Sequence, residues 1–295
     1  MRTLVWFRGD LRTQDNPALS RASRDADRGA VAVFVTCRTQ WRKAHHLSDA
    51  KIDLMLRTLT VLQQDLEKLN IPLRIIDRNW FDEVPAALKM LCREVEADAL
   101  YFNREYEVNE QHRDEAVTDD LEDIGVKVHA FTDQVAMDPG NNRTLKGDYY
   151  SVFTPYKKSW IAAHNDGQAR EPAEAPRKQP EMVCKSDDIP GRLPGFECTD
   201  HLHDRWPAGE HEAMQRLRTF CNGPIRAYHE ERDTPSLDNT SGLSPYLANG
   251  SLSPVQCLSA ALEANNNRLD SGAEGISTWI SEIIWREFYR HILVG

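Results

Sequence analysis

Apolar residues over the first 135 positions alternate between two rhythms. Short continuous runs occur at Thr3 to Phe7, Ala30 to Thr36, Ile71 to Asp77, Ala99 to Phe102 and Val126 to Phe131. Their length and flanks predict buried strands. Between them the apolar positions recur at three and four. Ile52, Met55, Leu56, Leu59, Leu62, Leu66 and Leu69 form one such stripe, and Val84, Leu88, Leu91 and Val95 another within Trp80 to Glu96. Val108 to Ile124 also reads as a helix. Asp15-Asn16-Pro17 supplies a capping residue and a proline suited to a first helical turn, and Asn70 ends the long stripe. Strands alternating with helices predict a five-stranded parallel α/β domain over residues 1–135, with helices on both faces and right-handed crossovers.

The rhythm then breaks. Pro172, Pro176, Pro180, Pro190 and Pro194, with charges between them, make 136–206 an interdomain connection. Residues 207–295 show helical patterns at Glu210 to Cys221, Pro254 to Ala264 and Ser277 to Val294, and no strands. The last segment carries unusual chemistry. At about 100° per residue, Trp279, Glu282, Trp285, Arg286 and Tyr289 share roughly 120° of arc. Ile280, Ile284, Phe288 and Ile292 share another, nearly opposite. An exposed face of two indoles, a phenol, an acid and a guanidinium departs from the usual solvated face and predicts a cavity wall that stacks flat rings. The alternative is a helix buried all round, with Glu282 and Arg286 paired at i, i+4.

Composition changes this picture little. The chain has 295 residues, 40% hydrophobic and 28% charged, with room for two cores. No run reaches membrane-span length, and Arg8, Asp10 and Arg12 follow the short apolar start at once, so a cytoplasmic protein is expected. The net charge of −10 argues against nucleic acid as a default partner, although a local basic patch suffices for one. Cys37, Cys92, Cys184, Cys198, Cys221 and Cys257 form no C-x-x-C pair, and Cys198, His201 and His203 fit no common zinc spacing, so no metal is expected.

Ligands of wound sheets sit beyond the carboxyl ends of the strands, where Arg8 to Asn16 and Asn103 to Glu110 fall. Neither carries G-x-G-x-x-G, and no P-loop occurs, so an ordinary nicotinamide or ATP site has no support. The cluster Asn103, Glu105, Glu107, Asn109 and Glu110 reads equally as helix capping. Asp238-Asn239-Thr240-Ser241-Gly242-Leu243-Ser244-Pro245-Tyr246 is dense in hydroxyls and backbone donors able to wrap a diphosphate. Plain turn chemistry explains it as well.

Six collinear segments nevertheless resemble the photolyase/cryptochrome family. They are Leu4-Val5-Trp6-Phe7-Arg8-Gly9-Asp10-Leu11-Arg12 with the residues up to Leu19, Tyr106-Glu107-Val108-Asn109-Glu110, Val152-Phe153-Thr154-Pro155-Tyr156-Lys157, Tyr228-His229-Glu230-Glu231-Arg232-Asp233, Thr240-Ser241-Gly242-Leu243-Ser244-Pro245-Tyr246-Leu247, and Trp279-Ile280-Ser281-Glu282-Ile283-Ile284-Trp285-Arg286-Glu287-Phe288-Tyr289. The nearest group looks like the bacterial class I members that repair cyclobutane pyrimidine dimers in DNA by light-driven electron transfer from reduced FAD. The resemblance implies a Rossmann-like antenna domain over 1–135 and an incomplete all-α FAD-binding domain over 207–295. It implies that Tyr228, Thr240, Ser241, Gly242, Leu243 and Ser244 hold FAD phosphates and ribityl, and that Trp279 borders the flavin. Glu282 would hydrogen-bond the dimer from an apolar pocket that keeps its carboxyl protonated. Trp285 would stack on the dimer, and Arg232, Arg286 and Tyr289 would face the DNA. Asn109 and Glu110 match the site of a folate antenna, 5,10-methenyltetrahydrofolate. Relatives often have arginine where Gly242 stands. Members of the family continue well past this point, so a fragment is expected, of a protein monomeric when complete. A cryptochrome-like blue-light photoreceptor and a stand-alone antenna-binding module are the alternatives.

Overall fold

The computed structural model describes residues 1–237 and 239–295; Asp238, in the hydroxyl-rich turn, lies outside the described residues. The expected strands form as β1 (Thr3–Phe7), β2 (Ala30–Cys37), β3 (Leu73–Arg78), β4 (Ala99–Asn103) and β5 (Lys127–Phe131). They make one sheet in the order β3-β2-β1-β4-β5, parallel at every pairing. β1 and β2 are buried along their whole length, which is why they read as unbroken apolar runs. Helices α1 (Pro17–Asp25), α2 (Asp49–Lys68), α3 (Val84–Glu94) and α4 (Val108–Glu122) connect the strands. The Asn16 side chain caps α1, accepting the Leu19 amide at 3.0 Å. Leu11, Leu19, Leu59 and Leu66 fill one face of the sheet, and Val84, Leu88, Val117 and Leu121 fill the other.

Two compact units emerge, each made of several stretches. The sheet unit holds residues 1–133, 173–210 and 248–251; the helical unit holds 134–172, 211–247 and 252–295. The proline-rich stretch 173–210 packs on the sheet it follows. The Asp187 amide donates to Leu73 O at 2.9 Å, its carboxylate accepts from the Ile75 amide, and Ser186 Oγ accepts from the Leu73 amide. These bonds cover the exposed edge of β3, which would otherwise be a template for pairing with another chain. Residues 248–251 seat against the end of β1, where a Cβ on Gly250 (φ +74) would lie 2.1 Å from Gly9 O.

The helical unit comprises α5 (Phe153–Asn165), α6 (Glu210–Cys221), α7 (Tyr228–Glu231), α8 (Ser244–Asn249), α9 (Pro254–Ala264) and α10 (Glu274–Val294), with the ends of α6 and α8 crossing the unit boundaries. α10 is its spine. Gly275 lets the 3-10 turn Pro224–Ala227 approach closely, since a Cβ there would meet Arg226 O at 2.2 Å. The buried side of α10 runs from Trp279 through Ile276, Ile283, Glu287, Ile280, His291 and Ile284 to Phe288, about 180° of arc. The expected aliphatic arc is therefore displaced. Trp279 sits on the core side, packed on Phe220 and 3% exposed, whereas Ile292 is exposed. Two polar residues, Glu287 and His291, occupy the centre of the buried arc.

Candidate functional site

In the sheet unit, order reverses at β1, whose neighbours β2 and β4 lead to opposite edges. That is where wound sheets place ligands, but the protein's own side chains fill the position. Buried Asp10 accepts from the Arg8 amide (2.7 Å), Asn16 Nδ2 (3.2 Å) and Asn103 Nδ2 (2.6 Å). Buried Arg12 pairs with Asp133 through both terminal nitrogens and donates to Gly250 O. Burial, ahead of the nearby Asp133 charge, raises the Asp10 carboxyl above its ordinary range. Asn103, first of the polar cluster read from the sequence, is thus structural.

An open cleft of about 410 Å³ lies instead beside α3 and α4, lined by Gln40, Trp80, Phe81, Asn109, His112 and Arg113 among others. Its volume falls within the range of small-ligand sites. Trp80 stands 40% exposed at its lip. Arg113 is fixed behind it by Glu105 (2.8 Å) and Asp114 (2.7 Å), with its guanidinium over the Trp6 and Phe81 rings. Asn109 and Glu110, adjacent in the first turn of α4, diverge. Asn109 lines the cleft, while Glu110 is withdrawn, its carboxylate 3.6 Å from His45 Nδ1. His45 Nε2 in turn lies 3.4 Å from the amide nitrogens of Asn109 and Gln40. Burial first, then Glu105, pushes the Glu110 carboxyl up to about 7; burial, then Lys51 and Arg113, pushes His45 down. Sequence reasoning missed His45, Trp80 and Arg113, because they come from a π-helical turn, a loop and the buried side of α4.

In the helical unit, α10 brings together Glu282, Trp285, Arg286 and Tyr289, the first three half-buried and Tyr289 65% exposed. Trp285 lies face to face with Phe153 (ring centroids 3.6 Å apart, planes at 11°), and Tyr289 flanks it at 5.7 Å. Arg286 Nη1 donates to the Gln134 carbonyl, and Arg232 Nη1 donates to Glu282 Oε1 at 2.6 Å. The expected apolar pocket around Glu282 is a correction: its side chain is 39% exposed and held by a cation. Glu282 shares this corner with Arg232 and the half-buried Tyr228, whose phenol burial raises above its ordinary range.

Tyr228 also meets Phe220 edge-on at 5.9 Å, and Phe220 meets Trp279 at 5.3 Å. In the hydroxyl-rich turn, Thr240 and Ser244 are exposed and Ser241 and Gly242 half-buried, while Leu243 is buried and anchors the turn. Gly242 has φ +57. Beneath α10, Glu287 accepts from the Ala136 amide and from Trp160 Nε1 (2.8 Å), and burial pushes it up to about 7. His291 accepts the Tyr150 amide at Nε2 (2.9 Å) and donates from Nδ1 to Pro139 O. Among the described residues no group of three or more His, Cys, Asp or Glu is arranged to hold a metal ion, and no helix is long and apolar enough to cross a membrane.

A family model described as DNA photolyase matches residues 3–179. The chain is 36% identical over 295 residues to a deoxyribodipyrimidine photo-lyase of Vibrio cholerae, covering 98% of this chain and 61% of that one. It is also 36% identical to one of Escherichia coli, covering 98% and 60%. The chain thus spans about three-fifths of the length of these curated relatives. The solved structure of a bacterial class III photolyase from Agrobacterium tumefaciens superposes with a TM-score of 0.84 at 29% identity, over 99% of this chain and 59% of that one.

Proposed function

The chain belongs to the DNA photolyase family, and from that premise we propose that it takes part in light-dependent repair of cyclobutane pyrimidine dimers in DNA, with FAD as the redox cofactor. The observation that carries the reading is the face of α10. A half-exposed indole, a carboxylate and an arginine sit together on α10, and Arg232, at the end of α7, pairs with the carboxylate. A flipped-out base is held by stacking and by hydrogen bonds to its edge, and this face offers both.

The turn near α8 fits the phosphate and ribityl part of FAD. Thr240, Ser241 and Ser244 keep their hydroxyls at or near the surface, and Leu243 holds the turn from behind. Tyr228 adds a phenol, and Trp279 borders the flavin site from behind, through Phe220. When bound and reduced, FAD supplies the electron that light transfers. The chain's own residues do the rest. Trp285 offers a flat apolar face to the dimer. Arg232 and Arg286 bring positive charge to the phosphates, which suits guanidinium geometry, and Tyr289 lies beside them. Glu282, while paired with Arg232, accepts, and so suits the ring N–H groups of the pyrimidines. It meets a carbonyl only when it carries a proton itself.

For the antenna, Asn109 and Glu110 with His45 form the polar side of a site for a reduced folate such as 5,10-methenyltetrahydrofolate. The carbonyl oxygen of the Glu110 carboxyl would take an amino group of the pterin once the side chain turns from His45 toward the cleft. The test of the whole reading is loss of dimers from an irradiated oligonucleotide incubated with the gene product and FAD. Dimers should disappear under blue light and persist in the dark. Equal persistence in both would reject the proposal.

A further inference from the structure

Phe153 has no part in the reading above, yet it makes the closest ring contact to Trp285. It stands at the first position of α5, and its surroundings fix it there. Phe288 meets it edge-on at 5.7 Å. One turn on, Tyr156 packs on Phe288 at 5.1 Å and on His291 at 4.9 Å. Another turn on, the Trp160 indole donates to Glu287. Phe153, Tyr156 and Trp160 thus form one stripe, at i, i+3 and i+7, interlocked with α10. Phe153 is the end of that stripe nearest Trp285, held between Trp285 and Phe288.

We infer that Phe153 is a positioning residue for the DNA lesion: it covers one face of Trp285, fixes the plane of the indole, and leaves the other face for one ring of the flipped dimer. The inference rests on the proposed role of Trp285. Its physical basis is preorganisation. An indole free on both faces samples several rotamers and must give them up when a base stacks on it. One already backed by a face-to-face ring has little left to lose. Tyr289 does not replace this backing, since its ring is offset at 5.7 Å and mostly exposed.

The experiment compares Phe153→Leu, Phe153→Tyr and Trp285→Ala in the gene product at the length its gene encodes. Each is titrated with a duplex carrying one cyclobutane thymine dimer and with its undamaged twin, in the dark. Phe153→Leu keeps the apolar bulk and removes the ring. It should weaken binding of the damaged duplex by about 2- to 10-fold, the usual worth of an aromatic pair. It should leave the undamaged duplex unchanged, and Phe153→Tyr should restore affinity. A purely structural role would lower both affinities together. Unchanged or tighter binding of the damaged duplex by Phe153→Leu, with Trp285→Ala still impaired, overturns this inference and leaves the proposed function standing. Tighter binding would mean that the ring occupies the place of the base. Unchanged binding by Trp285→Ala overturns the proposed function itself. Should Phe153→Leu not fold, Phe153→Met carries the same comparison.

Discussion

Replacing Glu110 with glutamine tests whether the cleft side of α4 stores an acid that resists ionisation. The Glu110 side chain is 12% exposed, and its carboxyl is raised from 4.5 to about 7. Burial is the largest cause, Glu105 follows and Glu107 adds, against its own backbone amide and Arg113. His45, 3.6 Å away, is shifted down rather than up. The two shifts agree, since each favours the uncharged form of its group. An acid raised on folding supports the fold while protonated, fully so below its unfolded value of 4.5. That support is lost as pH rises through about 7. The interval from 4.5 to about 7, at about 1.4 kcal/mol per pH unit, gives roughly 3 kcal/mol. Residual solvent and local relaxation bring the expected effect to roughly 1–3 kcal/mol. Glutamine fills the same volume and never ionises. In urea unfolding, Glu110→Gln should match the native chain at pH 4.5 and exceed its stability at pH 8.5 by that amount. A difference that is the same at both pH values, or a variant less stable at pH 8.5, would refute the reasoning. It would show that the carboxylate is well paired where it lies.

Two further predictions concern the supports of α10. Glu287→Ala removes the acceptor of two buried donors, the Ala136 amide and the Trp160 indole; at roughly 1–3 kcal/mol for each donor left unpaired, thermal unfolding should show a loss of about 2–6 kcal/mol, and a loss below about 1 kcal/mol would mean that the donors find other partners. Gly275→Ala places a methyl group 2.2 Å from Arg226 O, so it should cost about 1–3 kcal/mol as an overpacked contact, whereas a neutral or stabilising effect would show that the turn at Pro224–Ala227 yields freely.

β1, β2 and β4 were legible in the sequence because burial on both faces leaves continuous apolar runs, as in Thr3 to Phe7. The role of 173–210 was not legible. Its prolines read as a spacer, while Asp187 and Ser186 work through backbone and short polar contacts with Leu73 and Ile75 that no composition reveals. α5 went unread for a related reason. Its packing stripe is the aromatic set Phe153, Tyr156 and Trp160, interrupted by Pro155, Lys157 and Lys158, and it lacks the aliphatic repeat that marks a helix. On α10, counting apolar positions misplaced the core by about one residue's rotation, because the buried arc is centred on Glu287 and His291. These become core residues only through partners that lie far away in the sequence, Ala136, Trp160, Pro139 and Tyr150. The helical period put Glu282 off the aliphatic arc but could not supply its pairing with Arg232, which comes from another helix.

The exposed face of α10 is proposed to hold a flipped base through Trp285. The most direct measurement is a pair of dark binding titrations of Trp285→Ala in the gene product, on a dimer-containing duplex and on its undamaged twin at one salt concentration. Loss of base–aromatic stacking should cost about 1–3 kcal/mol on the damaged duplex. The undamaged duplex should be bound as before, since backbone contacts supply that affinity. Equal losses on both duplexes, or none on either, would contradict the account and return Trp285 to the packing of α5 against α10.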